Sequence, residues 1–269
     1  MLDALTLDAS AERQRIAAFI RKHVASTPMS RAVIGLSGGI DSSLTAALCV
    51  DALGADKVIA MFLPYRTSNP ESEAHGRLVA EWLGVRTKRF EITDMVRPLL
   101  EARPDISPQR LGNVMARCRM IVLFDESAAS DGLVVGTSNR TEWLLGYFTL
   151  GGDNMAALEP IGHLYKCQVR QLAAHMGVPE PIIAKAPSAD LWPGQTDEGE
   201  LGFTYDHADA VLYLLTECGM APEEIAVQLD LKLAVVQAVE RQVGATAFKR
   251  RLPPFISNEQ RCGIMQETS

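Results

Sequence analysis

Ser37-Gly38-Gly39-Ile40-Asp41-Ser42-Ser43 lies between the apolar run Ala32-Val33-Ile34-Gly35-Leu36 and the helix-forming Leu44-Thr45-Ala46-Ala47-Leu48-Cys49-Val50. The order is strand, tight glycine turn, helix start. Two glycines let the backbone turn sharply and aim several N–H groups at one point. The positive end of the following helix favours an anion there. The hydroxyls of Ser37, Ser42 and Ser43 add donors. Asp41 is the odd member, since a carboxylate beside a phosphate is repelled unless a metal lies between them. The loop also lacks the Lys of the Gly-x-x-x-x-Gly-Lys-Ser/Thr phosphate loop. It reads as a pyrophosphate cradle with Mg²⁺ held by Asp41. The bland alternative is an ordinary Gly-rich strand-to-helix turn.

Working outward, residues 11–24 have helical periodicity, and 57–63 (Lys-Val-Ile-Ala-Met-Phe-Leu) reads as a second buried strand. Asn69-Pro70 starts a helix that Gly84 ends. A third strand is expected over 86–92, a long helix over 109–128 and a short strand over 132–137. An amphipathic helix follows over 166–176 and is closed by Gly177 and Pro179. Strands alternating with helices predict an α/β fold, a Rossmann-like parallel sheet flanked by helices with right-handed crossovers. Ligands of such sheets bind beyond the carboxyl ends of the strands, so Ser37 and Thr137 can face one crevice. The Pro-, Gly- and polar-rich stretch 186–200 reads as a loop over that crevice. The whole of 1–269 reads as a single domain, with a C-terminal helical hairpin and flap about 206–255. Two short helices over 222–242 have the look of a helix-turn-helix, but a hairpin packed on the core fits an acidic chain better. Lys249-Arg250-Arg251 is a basic cluster that is either solvated or able to reach over phosphates.

Composition narrows the partners. The 269 residues are 47% apolar and 22% charged, with a net charge of −7, which disfavours nucleic acid or an anionic membrane held by a broad basic face. Five widely spaced cysteines with no Cys-x-x-Cys indicate neither a disulfide framework nor a zinc knuckle, and a reducing cytoplasm fits. Met1-Leu2-Asp3-Ala4-Leu5 has no basic segment before an apolar core, so no signal peptide is expected, and no apolar run is long enough to span a bilayer.

Three further segments go beyond generic nucleotide binding: Gly136-Thr137-Ser138-Asn139-Arg140-Thr141-Glu142-Trp143-Leu144-Leu145-Gly146-Tyr147-Phe148-Thr149, Pro187-Ser188-Ala189-Asp190-Leu191-Trp192-Pro193-Gly194-Gln195-Thr196-Asp197-Glu198 and Lys249-Arg250-Arg251-Leu252-Pro253. With the Ser-Gly-Gly-x-Asp-Ser loop they closely resemble the NAD synthetases, over roughly residues 16–253. The resemblance implies an adenine nucleotide alpha hydrolase-like (ATP-pyrophosphatase) fold, a homodimer, and ATP as co-substrate. It implies a two-step ligase reaction. ATP adenylates the nicotinate carboxylate of deamido-NAD, and ammonia then attacks the acyl-adenylate. It further implies that Ser37, Gly38, Gly39, Ile40, Asp41, Ser42 and Ser43 cradle ATP. Asp41 and Glu142 would hold Mg²⁺, Thr137 and Ser188 would donate hydroxyls to the nucleotide, and Lys166 would neutralise charge on the pyrophosphate. Arg117 and Lys249 would bind deamido-NAD. Asp153 is expected near the amide chemistry, as a proton acceptor for ammonium or as a plain turn residue. Trp143, Tyr147 and Phe148 read equally as core or as stacking platforms. Chain length leaves no room for a nitrilase-like glutaminase domain, so free ammonia is the expected donor.

The departures from the family pattern gather on one side. The family usually has Thr-Lys-x-Gly-Asp-Gly-x-x-Asp where this chain has Thr149-Leu150-Gly151-Gly152-Asp153-Asn154-Met155-Ala156-Ala157, and His-Lys where it has Phe248-Lys249. Either neighbours such as His163 or Arg119 re-supply the lost contacts, or the chain is a divergent amide ligase that adenylates a different carboxylic acid.

Overall fold

Asp8 accepts the N–H of Ala11 and starts α1 (Ala9–Ala25), whose Ile16, Ala17, Ile20 and Val24 recur at helical spacing and are buried. This computed structural model describes residues 2–185, Gly199, 202–252 and Pro254. Ser188 and nearly all of the expected loop 186–200 lie outside them. Among the described residues the sheet has β1 (Arg31–Gly35), β2 (Val58–Phe62), β3 (Arg86–Arg89) and β4 (Gly132–Val134), all parallel, in the order β3-β2-β1-β4. Beyond β4, Val135 bridges Leu158, and Gly136 N–H donates to Leu158 O, so the chain after Gly152 returns beside the sheet.

Strand alternation explains why β1 and β2 are continuous apolar runs. Ala32, Ile34, Val58, Ala60 and Phe62 join a core with α1, α2 (Ile40–Leu53), α3 (Pro70–Leu83) and α7 (Lys166–Met176). Val33, Ile59 and Met61 point the other way, into a core with α4 (Thr93–Ala102) and α5 (Pro108–Ala129). Both faces are covered, as a parallel sheet requires. α2 is buried nearly throughout, from Ile40 to Cys49. The loop that precedes it is therefore held from below.

The third strand ends at Arg89, earlier than the sequence suggests, and all four of its residues are exposed. It is an edge strand, kept from pairing further by Arg86, Lys88 and Arg89. Lys88 also bonds Glu126 at 2.7 Å. The residues after it turn into α4, where only Val96 is buried and Pro98 interrupts the helix interior. α6 (Arg140–Leu145) is a short helix after β4, and α8 (Glu180–Ile183) follows α7. The C-terminal region adds α9 (Tyr205–Thr216), α10 (Pro222–Gln228) and α11 (Leu233–Ala245). These pack in a third core that takes in Leu144, Leu145, Tyr165 and Cys167, which ties them to α6 and α7.

Candidate active site

A cavity of about 1150 Å³ opens at the carboxyl ends of β1, β2 and β4. The strand order reverses between β1 and β4, which is where doubly wound sheets bind ligands. Ser37 and Thr137 both line it, as expected from their places after β1 and β4.

The glycine loop forms one wall. Gly38 has φ +77°, and a Cβ there would run into Ser72 O and come within 3.0 Å of Gly76 N. Only glycine fits both the turn and the contact with α3. Inside the loop, Ser42 Oγ donates to Gly39 O at 3.1 Å and lies 3.0 Å from Ser37 Oγ. No side chain caps α2, so its first-turn amides remain for a ligand. Ser43 is fully buried and turns its hydroxyl back to Gly39 O at 2.8 Å, which makes it a brace of the loop.

At the floor of the cavity two carboxylates share two donors. Lys166 Nζ is 2.6 Å from Asp41 Oδ2 and 3.2 Å from Glu142 Oε1. Asn139 supplies the other pair, its Nδ2 to Asp41 Oδ1 at 2.9 Å and its backbone N–H to Glu142 Oε2 at 3.2 Å. Asn139 Oδ1 in turn accepts Glu142 N–H at 3.0 Å, so Asn139 and Glu142 form the capping box of α6. Each carboxylate thus has one oxygen on Asn139 and one on Lys166. The Lys166 side chain is 3% exposed, and its ammonium is tolerated there because it faces two anions and lies 5.0 Å from the Tyr205 ring. Behind it, Thr141 Oγ1 accepts Lys166 N–H at 3.0 Å and donates to Asp209, which also accepts Cys167 N–H at 2.7 Å. Asp209 of α9 therefore fixes the start of α7. Burial raises its carboxyl above the usual range, against the pull of these bonds.

Two opposed carboxylates offer hard oxygens of the kind Mg²⁺ takes. Among the described residues no cluster of three or more His, Cys, Asp or Glu is placed to hold a metal. Mg²⁺ is usually bound through one or two carboxylates, with substrate phosphates and water completing its shell. The donor set fits.

The opposite side of the cavity is built from the loop that carries residues 147–155, from Lys249 and from α5, which contributes Asn113, Ala116 and Arg119. Asp153 accepts Thr149 N–H at 2.8 Å, and its carboxyl, crowded by protein yet open to the cavity, is raised chiefly by desolvation. Of the two residues expected on the acid substrate, Lys249 lines the cavity and Arg117 of α5 does not, and both are engaged with backbone carbonyls. Arg117 reaches Leu150 O at 3.0 Å, and Lys249 Nζ reaches Gly146 O and Phe148 O, each at 2.8 Å. Desolvation lowers the Lys249 ammonium from its ordinary value, while Asp153 works the other way. Leu150, Met155 and Phe248 are 45%, 46% and 65% exposed. Tyr147 and Phe148 line the cavity, and Trp143 stacks on Phe148 with ring centroids 5.0 Å apart. Of the two possible stand-ins for the missing charges, Arg119 lines the cavity. His163 sits elsewhere, with Nε2 2.7 Å from Glu12.

Sequence reading missed four side chains that shape this site. Asn139 announces itself only as the Asn-x-x-Glu of a capping box. Asp209, Lys185 and Glu159 carry no local signal. Glu159 Oε2 accepts Ser138 N–H at 3.1 Å, while its buried Oε1 has no partner. A Cβ on Gly136, a cavity-lining residue, would run into that carboxyl. Desolvation first, then the charges of Glu142 and Asp153, push Glu159 up to about 8 despite the Ser138 bond.

The NAD synthase family model matches residues 12–253. An NH3-dependent NAD+ synthetase of Trichlorobacter lovleyi is 50% identical over 252 residues, 94% of this chain and 92% of that one. One from Fusobacterium nucleatum is 43% identical over 252 residues, 94% and 97% of the two chains. Among solved structures, an NMN synthetase from Francisella tularensis superimposes with a TM-score of 0.82 at 29% identity, covering 94% of this chain and all of that one. An NH3-dependent NAD synthetase from Campylobacter jejuni gives 0.79, again at 29% identity, with 94% and 100% coverage.

Proposed function

Because the chain belongs to the NAD synthase family, we propose that it amidates deamido-NAD to NAD with ATP and ammonia, as a ligase that forms a C–N bond. The observation that carries this reading is the pairing of Asp41 and Glu142 through Lys166 and Asn139 at the mouth of the glycine loop. The curated relatives favour deamido-NAD over another acid.

A carboxylate is a poor electrophile, and adenylation gives it a good leaving group. In the first step a substrate carboxylate oxygen attacks the α-phosphorus of ATP, and pyrophosphate leaves. In the second, ammonia attacks the acyl carbon, AMP leaves, and one proton is released. The site's task in the first step is to hold dense negative charge in line. The amides of α2 and the hydroxyls of Ser37 and Ser42 would cradle the terminal phosphates, and Thr137 and Ser188 would bind the nucleotide. Asp41 and Glu142 would hold Mg²⁺, which when bound supplies charge neutralisation on the phosphates. Lys166, already between the two carboxylates, would shift part of its charge to the departing pyrophosphate. Asp153, whose carboxyl burial makes more basic, would take the proton from ammonium. Arg117 and Lys249 would bind the acid by giving up carbonyl partners.

The reading of a homodimer draws on exposed apolar side chains. Leu99 of α4 and Ile121 and Phe124 of α5, on helices that pack together, are 40%, 52% and 38% exposed. Among the described residues no helix is long and apolar enough to cross a membrane. The cytoplasm is the proposed location, and reduced cysteines fit it.

The test is product analysis with ATP, Mg²⁺, ammonium and a panel of acids that includes deamido-NAD. NAD, AMP and pyrophosphate should appear in equal amounts, and glutamine should not replace ammonium. ADP as the nucleotide product would overturn the adenylation chemistry. Turnover of another acid in preference to deamido-NAD would overturn the substrate.

A further inference from the structure

Lys185 follows α8 and lines the same cavity as the glycine loop. Its Nζ donates to Ser72 Oγ at 3.1 Å, and no ion pair among the described residues includes it. Ser72 is the residue whose carbonyl oxygen packs against Gly38, so Lys185 reaches the turn of the loop through one intervening side chain.

Charge makes this placement telling. The loop offers amides and hydroxyls but no cation of its own. The cation at the floor, Lys166, is shared with Asp41 and Glu142, so only part of its charge is left for a phosphate. Two carboxylates and one ammonium leave that floor with one net negative charge before any metal arrives. A polyphosphate seated on the loop needs more positive charge than this. Among the described residues Lys185 holds only a neutral hydroxyl, and an ammonium on a flexible four-carbon stem trades such a partner readily for a phosphate oxygen.

We propose that Lys185 is a phosphate-binding residue of this site: its ammonium leaves Ser72 for the terminal phosphates of ATP on the glycine loop and holds the pyrophosphate product there. It supplies from the far side of the chain the cation that the loop sequence lacks. The assignment rests on the reading of the loop as the seat of those phosphates.

The test is titration of the purified protein with Mg²⁺-pyrophosphate and, separately, with AMP, in wild type, Lys185→Met and Lys185→Arg, alongside steady-state kinetics. Met keeps the aliphatic stem and removes the charge. Pyrophosphate affinity should fall about 10-fold or more in Lys185→Met, in line with one lost charge-assisted hydrogen bond. The KM for ATP should rise with it. AMP lacks the terminal phosphates, so its affinity should hold, and Lys185→Arg should recover most of the loss. Unchanged pyrophosphate affinity in Lys185→Met would overturn the assignment while leaving the loop reading intact. So would an equal loss for AMP, which would make the lysine a general wall of the cavity. A wild-type protein that binds no pyrophosphate would overturn the loop reading and the assignment together.

Discussion

The two sides of the cavity are held by different kinds of bond. On the nucleotide side, Asp41, Asn139, Glu142 and Lys166 grip one another through side chains that start from α2, α6 and α7, and Asn139 is fully buried. On the side proposed for the acid, Arg117 and Lys249 hold backbone carbonyls, and Leu150, Met155 and Phe248 present exposed apolar surface. Side chains locked to each other cannot change singly. Side chains resting on carbonyls can be replaced without leaving a charge unpaired. The departures from the family pattern, at Leu150, Ala157 and Phe248, lie outside the locked group. Under the proposed function, activation of the acid would depend on the locked side chains and its recognition on the more loosely held ones.

The comparison breaks if the nucleotide side tolerates single changes. Asp41→Asn and Glu142→Gln should each lower turnover by at least ~10²-fold through lost charge stabilisation. Thermal stability should move little, because the remaining carboxylate still faces Lys166. Near-normal turnover in either variant would show that the pair is dispensable.

Asn139→Ser sharpens it. Serine keeps an N-cap acceptor for α6 but cannot reach Asp41 with a donor. The Mg²⁺ concentration for half-activity should rise about 10-fold, the worth of one hydrogen bond to a charged group, with the melting temperature nearly unchanged. Melting curves that drop as far as those of Asn139→Ala would reduce Asn139 to a helix cap.

The acid side should respond in the opposite sense. Leu150→Lys with Ala157→Asp should tighten deamido-NAD binding, by up to about 10-fold, and leave the KM for ATP alone. Weaker binding in the double variant would mean that the apolar surface is itself the recognition element.

The smallest effect is on stability. Glu159 has a folded-state carboxyl near 8 against an ordinary 4.5. The folded protein therefore binds the proton more tightly than the unfolded chain does. The contribution is fully present at acid pH below the ordinary value, and is lost as pH rises through about 8. Glu159→Gln keeps an acceptor for Ser138 N–H and cannot ionise. Its melting temperature should fall less than that of wild type between roughly pH 5 and 8. Parallel curves would place the Glu159 carboxyl back in the ordinary range.

Legibility in the sequence followed sequence distance. The glycine loop, the strands around it and the Asn69-Pro70 helix start are local patterns, and the fold bears them out. The capping box at Asn139 is equally local, but a cap says nothing of a second bond to a residue 98 positions away. Lys185 meets Ser72 across 113 positions, and Thr141 meets Asp209 across 68. No periodicity encodes such meetings, because the packing of α9 on α6 and α7, and of α8 on α2 and α7, creates them. β3 ends at Arg89 although Phe90 and Ile92 suit a strand: their N–H groups still donate to Phe62 O and Pro64 O, and α4 begins directly after them at Thr93.

Gly136 and Glu159 also constrain how this protein can change over time. The Glu159 carboxyl fills the space that any side chain at position 136 would need. Those atoms are the far end of a flexible side chain, so a residue gained at 136 pushes the Glu159 carboxyl aside and takes it from Ser138 N–H. A change at 136 is therefore felt first at 159, which ties the fates of the two positions together.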